Sequence, residues 1–184
     1  MRVVIVGCGR VGSVLAESLD AAGHDVTIID AVTRAFDRLT DSFKGSAVRG
    51  DGTDEDTLRR AGAEGADIFL ALTEGDNRNV MTAQLASDRL GIPRVIAKIN
   101  DPLRAAAYAE LGVVTICRTN LMIDALARRL DLPIAVGPGI QGPSPSPGGQ
   151  GATSLLGSAA QPAASPSPAG PAGGSSPFPS RQEA

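Results

Sequence analysis

One stretch near the start constrains this chain more than any other: Val3-Val4-Ile5-Val6-Gly7-Cys8-Gly9-Arg10-Val11-Gly12. An apolar run of strand-forming residues leads directly into Gly-x-Gly-x-x-Gly. A helical pattern follows from Ser13 to Ala22. A strand, a tight glycine turn and a helix N-terminus in that order make a phosphate-binding arrangement. Gly7 permits the sharp turn, Gly9 lets backbone approach a pyrophosphate, and Gly12 lets the helix lie close to the strand. The helix start then offers unpaired N–H groups and a partial positive charge to an anion. Glycine also serves ordinary turns, so the motif gains its meaning from the strand before it and the helix after it.

The rest of the chain sets bounds on function. The 184 residues suffice for one sizeable core and are too few for two ordinary domains. A net charge of −3 gives no basic surface of the kind nucleic acid requires, so no nucleic-acid partner is expected. Cys8 and Cys117 lie far apart, and His24 is the only histidine. That inventory argues against a disulfide framework and against a zinc site. The apolar run at the N-terminus stops at Gly7, too short for a signal sequence or a membrane span. A cytoplasmic protein is expected.

Composition changes near residue 136. Residues 137–184 hold ten of the thirteen prolines and only two charged side chains, Arg181 and Glu183. Such a segment buries too little apolar surface to offset its ordering entropy. The expectation is a folded domain over residues 1–135 and a disordered Pro/Gly/Ser/Ala-rich tail over 136–184.

Within residues 1–135 short Val/Ile-rich runs alternate with helical patterns. Strands are expected at Arg2 to Val6, Asp25 to Ile29, Ser46 to Arg49, Ile68 to Leu72, Arg94 to Ile99 and Val113 to Ile116. Helices are expected at Val11 to Ala22, Val32 to Ser42, just after Asp54, Asp76 to Leu90, after Pro102, and Asn120 to Leu130. In the first helix Val11, Val14, Leu15, Leu19 and Ala22 form the apolar face. Six βα units predict an α/β, Rossmann-like, doubly wound parallel sheet in the order 3-2-1-4-5-6. Its ligand crevice should open at the carboxyl ends of strands one and four.

Several side chains should face that crevice. Asp30 ends strand two, 18 positions after Gly12. A carboxylate there accepts hydrogen bonds from both ribose hydroxyls and repels a 2′-phosphate, which favours NAD(H), ATP or ADP over NADP(H). It can also cap the segment that follows. Asp51, with Gly52 and Thr53, follows strand three and reads either as an acceptor for an adenine amino group or as an ordinary turn aspartate. Thr73, Asp76 and Asn79 follow strand four, where polar side chains reach a ribose or phosphate or else cap a helix. Arg10, inside the glycine turn, is a ready partner for a phosphate, and Lys98 ends strand five. Cys8 reads as a small residue tolerated at a close-packed turn.

Taken together, these motifs resemble the nucleotide-binding lobe of the RCK/KTN family, the TrkA- and KtrA-type regulatory proteins of potassium uptake. The matching residues are Gly7 to Gly12, Asp30, Gly50-Asp51-Gly52-Thr53, Thr73 with Asp76 and Asn79, and Ala97-Lys98-Ile99-Asn100-Asp101-Pro102. The phrase from Thr73 to Asn79 is the most specific, and generic dehydrogenases do not carry it. The resemblance implies binding of NAD(H) or ATP/ADP without catalysis. It also implies homo- or hetero-oligomers with another RCK subunit, on the cytoplasmic face of a TrkH- or KtrB-type membrane potassium transporter. Arg10 matches a family arginine near the terminal phosphates. Two departures stand out. Lys98 occupies a position that is often arginine, and the Pro/Gly/Ser tail stands where most members have a second lobe. The competing reading is an NAD-dependent oxidoreductase or a fragment of one, which needs a substrate lobe and a general acid or base that the sequence does not display.

Overall fold

A computed structural model describes residues 1–131. The tail expected over 136–184 lies outside the described residues, as does the expected boundary at residue 135. The strands are β1 (Arg2–Val6), β2 (Asp25–Asp30), β3 (Ser46–Arg49), β4 (Ile68–Ala71), β5 (Val95–Ile99) and β6 (Thr115–Cys117). The helices are α1 (Arg10–Ala21), α2 (Glu55–Arg60), α3 (Asp76–Gln84), α4 (Pro102–Glu110) and α5 (Arg118–Leu130). All strand pairs are parallel, and the order is β3-β2-β1-β4-β5-β6, as the βα alternation predicts.

The centre of the sheet explains the apolar run at the start of the chain. Val3, Val4, Ile5 and Val6 are all at most 2% exposed, because β1 is flanked by β2 and β4 and covered on both faces. Alternate residues serve opposite layers. Val4 and Val6 pack with Leu58, Phe69 and Leu90 on the α2 side. Val3 and Ile5 pack with Ala16, Val26 and Ile28 on the α1 side. Burying four such side chains contributes about 1.5–3 kcal/mol each before ordering entropy is counted.

Local differences from the sequence reading have physical causes. The helix expected over Val32 to Ser42 is a 3₁₀ segment, Thr33–Arg38, which ends where Leu39 turns extended. Thr40, Asp41 and Ser42 follow, and side chains of this kind compete for backbone hydrogen bonds and favour turns. Phe36, Leu39 and Phe43 still pack inward, against the α1-side cluster. The long helix expected from Asp76 to Leu90 is α3 followed by a π-helical turn at Leu85–Arg89. β6 starts two residues later than expected and ends one later, and α5 starts at Arg118. In α1 the buried residues are Gly12, Ser13 and Ala16, with Leu15 and Leu19 partly covered, while Val11 and Val14 are exposed. The helix meets the sheet through its smallest residues, so the two valines turn outward. Asp54 caps α2 as expected, accepting from the Thr57 N–H at 3.1 Å and the Thr57 hydroxyl at 2.6 Å.

The glycine turn shows which of its glycines the packing requires. Gly7 has φ +108°, a region L side chains rarely adopt, and a Cβ there would lie 2.9 Å from the backbone of Leu72 and Thr73. A Cβ on Gly12 would lie 1.9 Å from the Gly7 carbonyl oxygen. A Cβ on Gly9 would meet no protein atom within 4 Å. Gly12→Ala should therefore lower unfolding free energy by about 3 kcal/mol, whereas Gly9→Ala should cost about 1 kcal/mol or less. Urea denaturation monitored by circular dichroism checks this, and equal midpoints for the two variants would contradict the packing account.

Candidate functional site

The parallel order leaves a cleft beyond the carboxyl ends of the central strands, with a volume of about 890 Å³. One wall is the glycine turn, contributing Gly7, Cys8, Gly9, Arg10 and Val11. The N-terminus of α1 opens here. No side chain caps this helix, and its first turn contains no acidic residue. Its first amides are thus available to an external anion. Gly9 is the N-cap residue, and the space its missing Cβ leaves is open. A cradle of free amides with no side chain over it fits a phosphate group. Gly12 is buried behind the turn and supports it without lining the cleft.

Asp30, at the end of β2, organises this wall. Its Oδ2 accepts from the Cys8 N–H at 2.7 Å, and its Oδ1 accepts from the Val32 N–H at 2.8 Å. The carboxylate ties the glycine turn to the neighbouring strand and also starts the segment after β2. It lines the cleft, and each oxygen retains acceptor capacity for a ligand hydroxyl. The Cys8 thiol is fully buried and donates to the Ala35 carbonyl at 3.3 Å. Burial, reinforced by the Asp30 charge, pushes its pKa up to about 11. A neutral, enclosed thiol is not a nucleophile at physiological pH.

The cleft is rich in cations. Arg10, Arg34, Arg38, Lys98 and Arg118 line it, against the acids Asp30, Asp37 and Glu74. Among the described residues none of these five cations forms an ion pair. Lys98 is held below its ordinary pKa, first by burial and then by Arg118, with Asp76 and Glu74 opposing. Arg34, Arg38 and Arg118 escaped the sequence reading. The signal was present for the first two: they follow the carboxyl end of strand two, at the crevice edge. Arg118 fell in a connector because strand six was expected to end at Ile116.

The residues after β4 are held by one another. Asn79 is fully buried. Its Oδ1 accepts from the Thr73 N–H at 2.8 Å and the Thr73 hydroxyl at 2.7 Å. Its Nδ2 donates to the carbonyls of Thr73 at 3.0 Å and Lys98 at 2.7 Å. One amide side chain thus joins the ends of β4 and β5 and the start of α3. Asp76 joins the same region to the β5–α4 loop, accepting at Oδ1 from the N–H and side chain of Asn100, both at 2.8 Å, and at Oδ2 from the Asp101 N–H at 3.1 Å. Burial raises its pKa, but the bonds from Asn100 and Asp101 outweigh this and hold the carboxyl below its ordinary range. Thr73, Asp76 and Asn79 therefore buttress the cleft and are absent from its lining, whereas Lys98 lines it. Asp51 accepts at Oδ1 from the Thr53 N–H at 2.9 Å and the Thr53 hydroxyl at 2.8 Å, and both bonds lower its pKa. Gly52 lies against Val6, where a Cβ would be 2.3 Å from Cγ1. Asp51, Gly52 and Thr53 form a self-bonded turn beside β1 and do not line the cleft.

This geometry coincides with a known domain. The family model of the TrkA-N domain matches residues 3–119, which span the sheet, the glycine turn and the cleft. The chain belongs to the TrkA-N domain family. Among its TrkA-N relatives is the "Trk system potassium uptake protein TrkA" of Streptomyces coelicolor, 46% identical over 130 residues, covering 71% of this chain and 58% of the relative. A "TrkA homolog" of Methanothermobacter thermautotrophicus is 35% identical over 113 residues, covering 61% and 52%. The chain thus spans between half and three-fifths of the length of these relatives. Among solved structures, the Shewanella denitrificans Kef CTD in its AMP-bound form superposes with a TM-score of 0.57 at 26% identity, covering 70% of this chain and 82% of that one. The TrkA-N domain of the Escherichia coli inner membrane protein ybaL superposes with a TM-score of 0.63 at 22% identity, covering 70% and 96%. The GsuK RCK domain gives 0.60 at 22% identity, covering 71% and 28%, and both of these likenesses concern the fold.

The raised Cys8 pKa carries a direct test. Iodoacetamide labelling at pH 8, read by peptide mass mapping, should leave Cys8 unmodified in the folded protein and label it in denaturant. Rapid labelling of Cys8 in the folded state would show that the glycine turn is not packed as described.

Proposed function

We propose that this chain is a nucleotide-binding regulatory subunit of a Trk/Ktr-type potassium uptake system. One observation carries the reading: the TrkA-N domain that builds this cleft also underlies the 46% identity to a protein named for Trk potassium uptake. The ligand class is NAD(H) or ATP/ADP. The amides of α1 and Gly9 would receive a phosphate, Arg10 would supply a mobile positive charge beside it, and Asp30 would accept from a ribose hydroxyl. The AMP-bound form of the Kef CTD supports an adenine nucleotide in this fold. Asp51 and Thr53 remain candidates at the adenine edge, and Thr73, Asp76 and Asn79 act in binding by holding Lys98 and the second wall in place.

In this role the chain acts by shifting a conformational equilibrium. Two nucleotides must interact with different strength with two arrangements of an RCK assembly, since a ligand with equal affinity for both shifts nothing. The assembly would be a homo- or hetero-oligomer on a TrkH- or KtrB-type transporter at the cytoplasmic side of the membrane. Leu121, Met122, Leu126 and Leu130 stand exposed on α5, which supports association through that helix. No helix among the described residues is long and apolar enough to cross a membrane, consistent with a peripheral position.

A thermal-shift panel of AMP, ADP, ATP, NAD and NADH tests the proposal. At least one adenine nucleotide should raise the melting temperature, and Asp30→Ala should abolish the shift. The nucleotide should be recovered unchanged after incubation. Absence of any shift would refute the binding reading, and hydride transfer from NADH to a small carbonyl compound would favour the oxidoreductase instead.

A further inference from the structure

The cleft wall that follows β2 has little core of its own. The Thr33–Arg38 segment buries none of its residues, yet Arg34, Ala35, Asp37 and Arg38 line the cleft. Phe36, with Leu39 and Phe43 after it, is only partly covered. Among the described residues, the hydrogen bonds that join residues 33–44 to other parts of the fold are made with Cys8, Glu17 and Asp20. The Cys8 thiol donates to the Ala35 carbonyl at 3.3 Å, and a thiol is a weak donor. The far end is held by charged acceptors. Glu17 Oε1 accepts from the Thr40 N–H at 2.6 Å, and Asp20 Oδ2 accepts from the Lys44 N–H at 2.8 Å.

Glu17 and Asp20 stand three positions apart on α1, so they share one face of that helix. Neither lines the cleft. Hydrogen bonding from Thr40 holds the Glu17 carboxyl below its ordinary range, so it is a charged acceptor at neutral pH. Each carboxylate satisfies a backbone N–H in a connection that forms no regular helix to satisfy it internally. The same α1 supplies the uncapped amides at the glycine turn. One element thus carries those amides at its start and the anchors of the neighbouring wall along its second half.

We infer that Glu17 and Asp20 are positioning residues of the nucleotide site, which hold the Thr33–Arg38 wall at a fixed distance from the amides at the start of α1. This rests on the proposed nucleotide reading and deepens it: a ligand that spans from those amides to the wall binds tightly only while the two carboxylates hold Thr40 and Lys44. Without them the wall takes up positions in which Arg34 and Arg38 no longer face the ligand. Apparent affinity then falls with the fraction of molecules whose wall is in place. Neither carboxylate touches the ligand, and each acts through the backbone it holds.

Calorimetric titration of the full chain with AMP, combined with amide hydrogen exchange at Thr40 and Lys44, tests the inference. The variants are Glu17→Ala and Asp20→Ala, with Glu17→Gln and Asp20→Asn as partners that keep an acceptor oxygen. Each is compared at a temperature where circular dichroism shows it folded. Each alanine variant should speed exchange at the amide it releases and weaken AMP binding about fivefold. The Gln and Asn variants should stay within about twofold of wild type. In wild type, AMP should slow exchange at both amides, which bonds with a merely structural role would not show. Unchanged AMP affinity in the alanine variants, equal losses in the alanine and amide variants, or exchange unmoved by bound AMP would overturn the positioning role and leave the nucleotide reading intact. Failure of wild type to bind AMP would instead overturn the nucleotide reading, and the positioning role with it.

Discussion

Everything at the functional end of this domain depends on how closely α1 approaches β1. At Gly12 the helix backbone comes so near the Gly7 carbonyl that a single added carbon would lie 1.9 Å from it. That contact fixes where α1 begins and aims its uncapped amides into the cleft. It also explains why the helix buries Gly12, Ser13 and Ala16 and turns Val11 and Val14 outward. Asp30 completes the constraint from the next strand, holding Cys8 N–H and Val32 N–H with one carboxylate. The cradle of amides at the glycine turn is therefore a product of backbone packing.

The second wall is built by a different chemistry. Across the cleft, side-chain amides and carboxylates replace glycine contacts. Asn79 satisfies four hydrogen bonds in full burial, and Asp76 satisfies three at the β5–α4 loop. Buried hydrogen-bonded clusters of this kind hold one arrangement, and losing one member strands its buried partners, although the side-chain oxygen of Asn100 is itself buried without a partner among the described residues. Among the described residues, the cationic side chains on both walls then stand without ion-pair partners. A pocket built this way presents five cations, Arg10, Arg34, Arg38, Lys98 and Arg118, against three acids.

Much of this was legible in the chain. The six βα units, the parallel order and the role of the glycine turn follow from hydrophobic period and glycine placement, because each βα unit writes its own local pattern. Asp54 and Pro102 announce helix starts for the same reason. Less legible was anything set by contacts distant in sequence. Thr73, Asp76 and Asn79 stood out as polar residues beside a crevice, yet only the meeting of β4 with β5 shows that their hydrogen bonds are spent on each other and on Lys98 and Asn100. Asp51 and Thr53 likewise satisfy one another within their turn. Arg34, Arg38 and Arg118 were invisible as a group, since three separate connections bring them to one cleft. The 3₁₀ segment after β2 and the π-helical turn after α3 mark places where the helical period of the sequence does not continue as an α-helix.

The central claim is that a nucleotide phosphate seats on the amides at the start of α1. Titration of isotopically labelled protein with AMP, followed by amide nitrogen–proton correlation spectra, tests it most directly. The account predicts that Gly9, Arg10, Val11 and Gly12 show the largest saturable shifts, with Cys8 moving beside them through its bond to Asp30. Saturable shifts confined to other parts of the fold, with these loop amides unmoved, would contradict it.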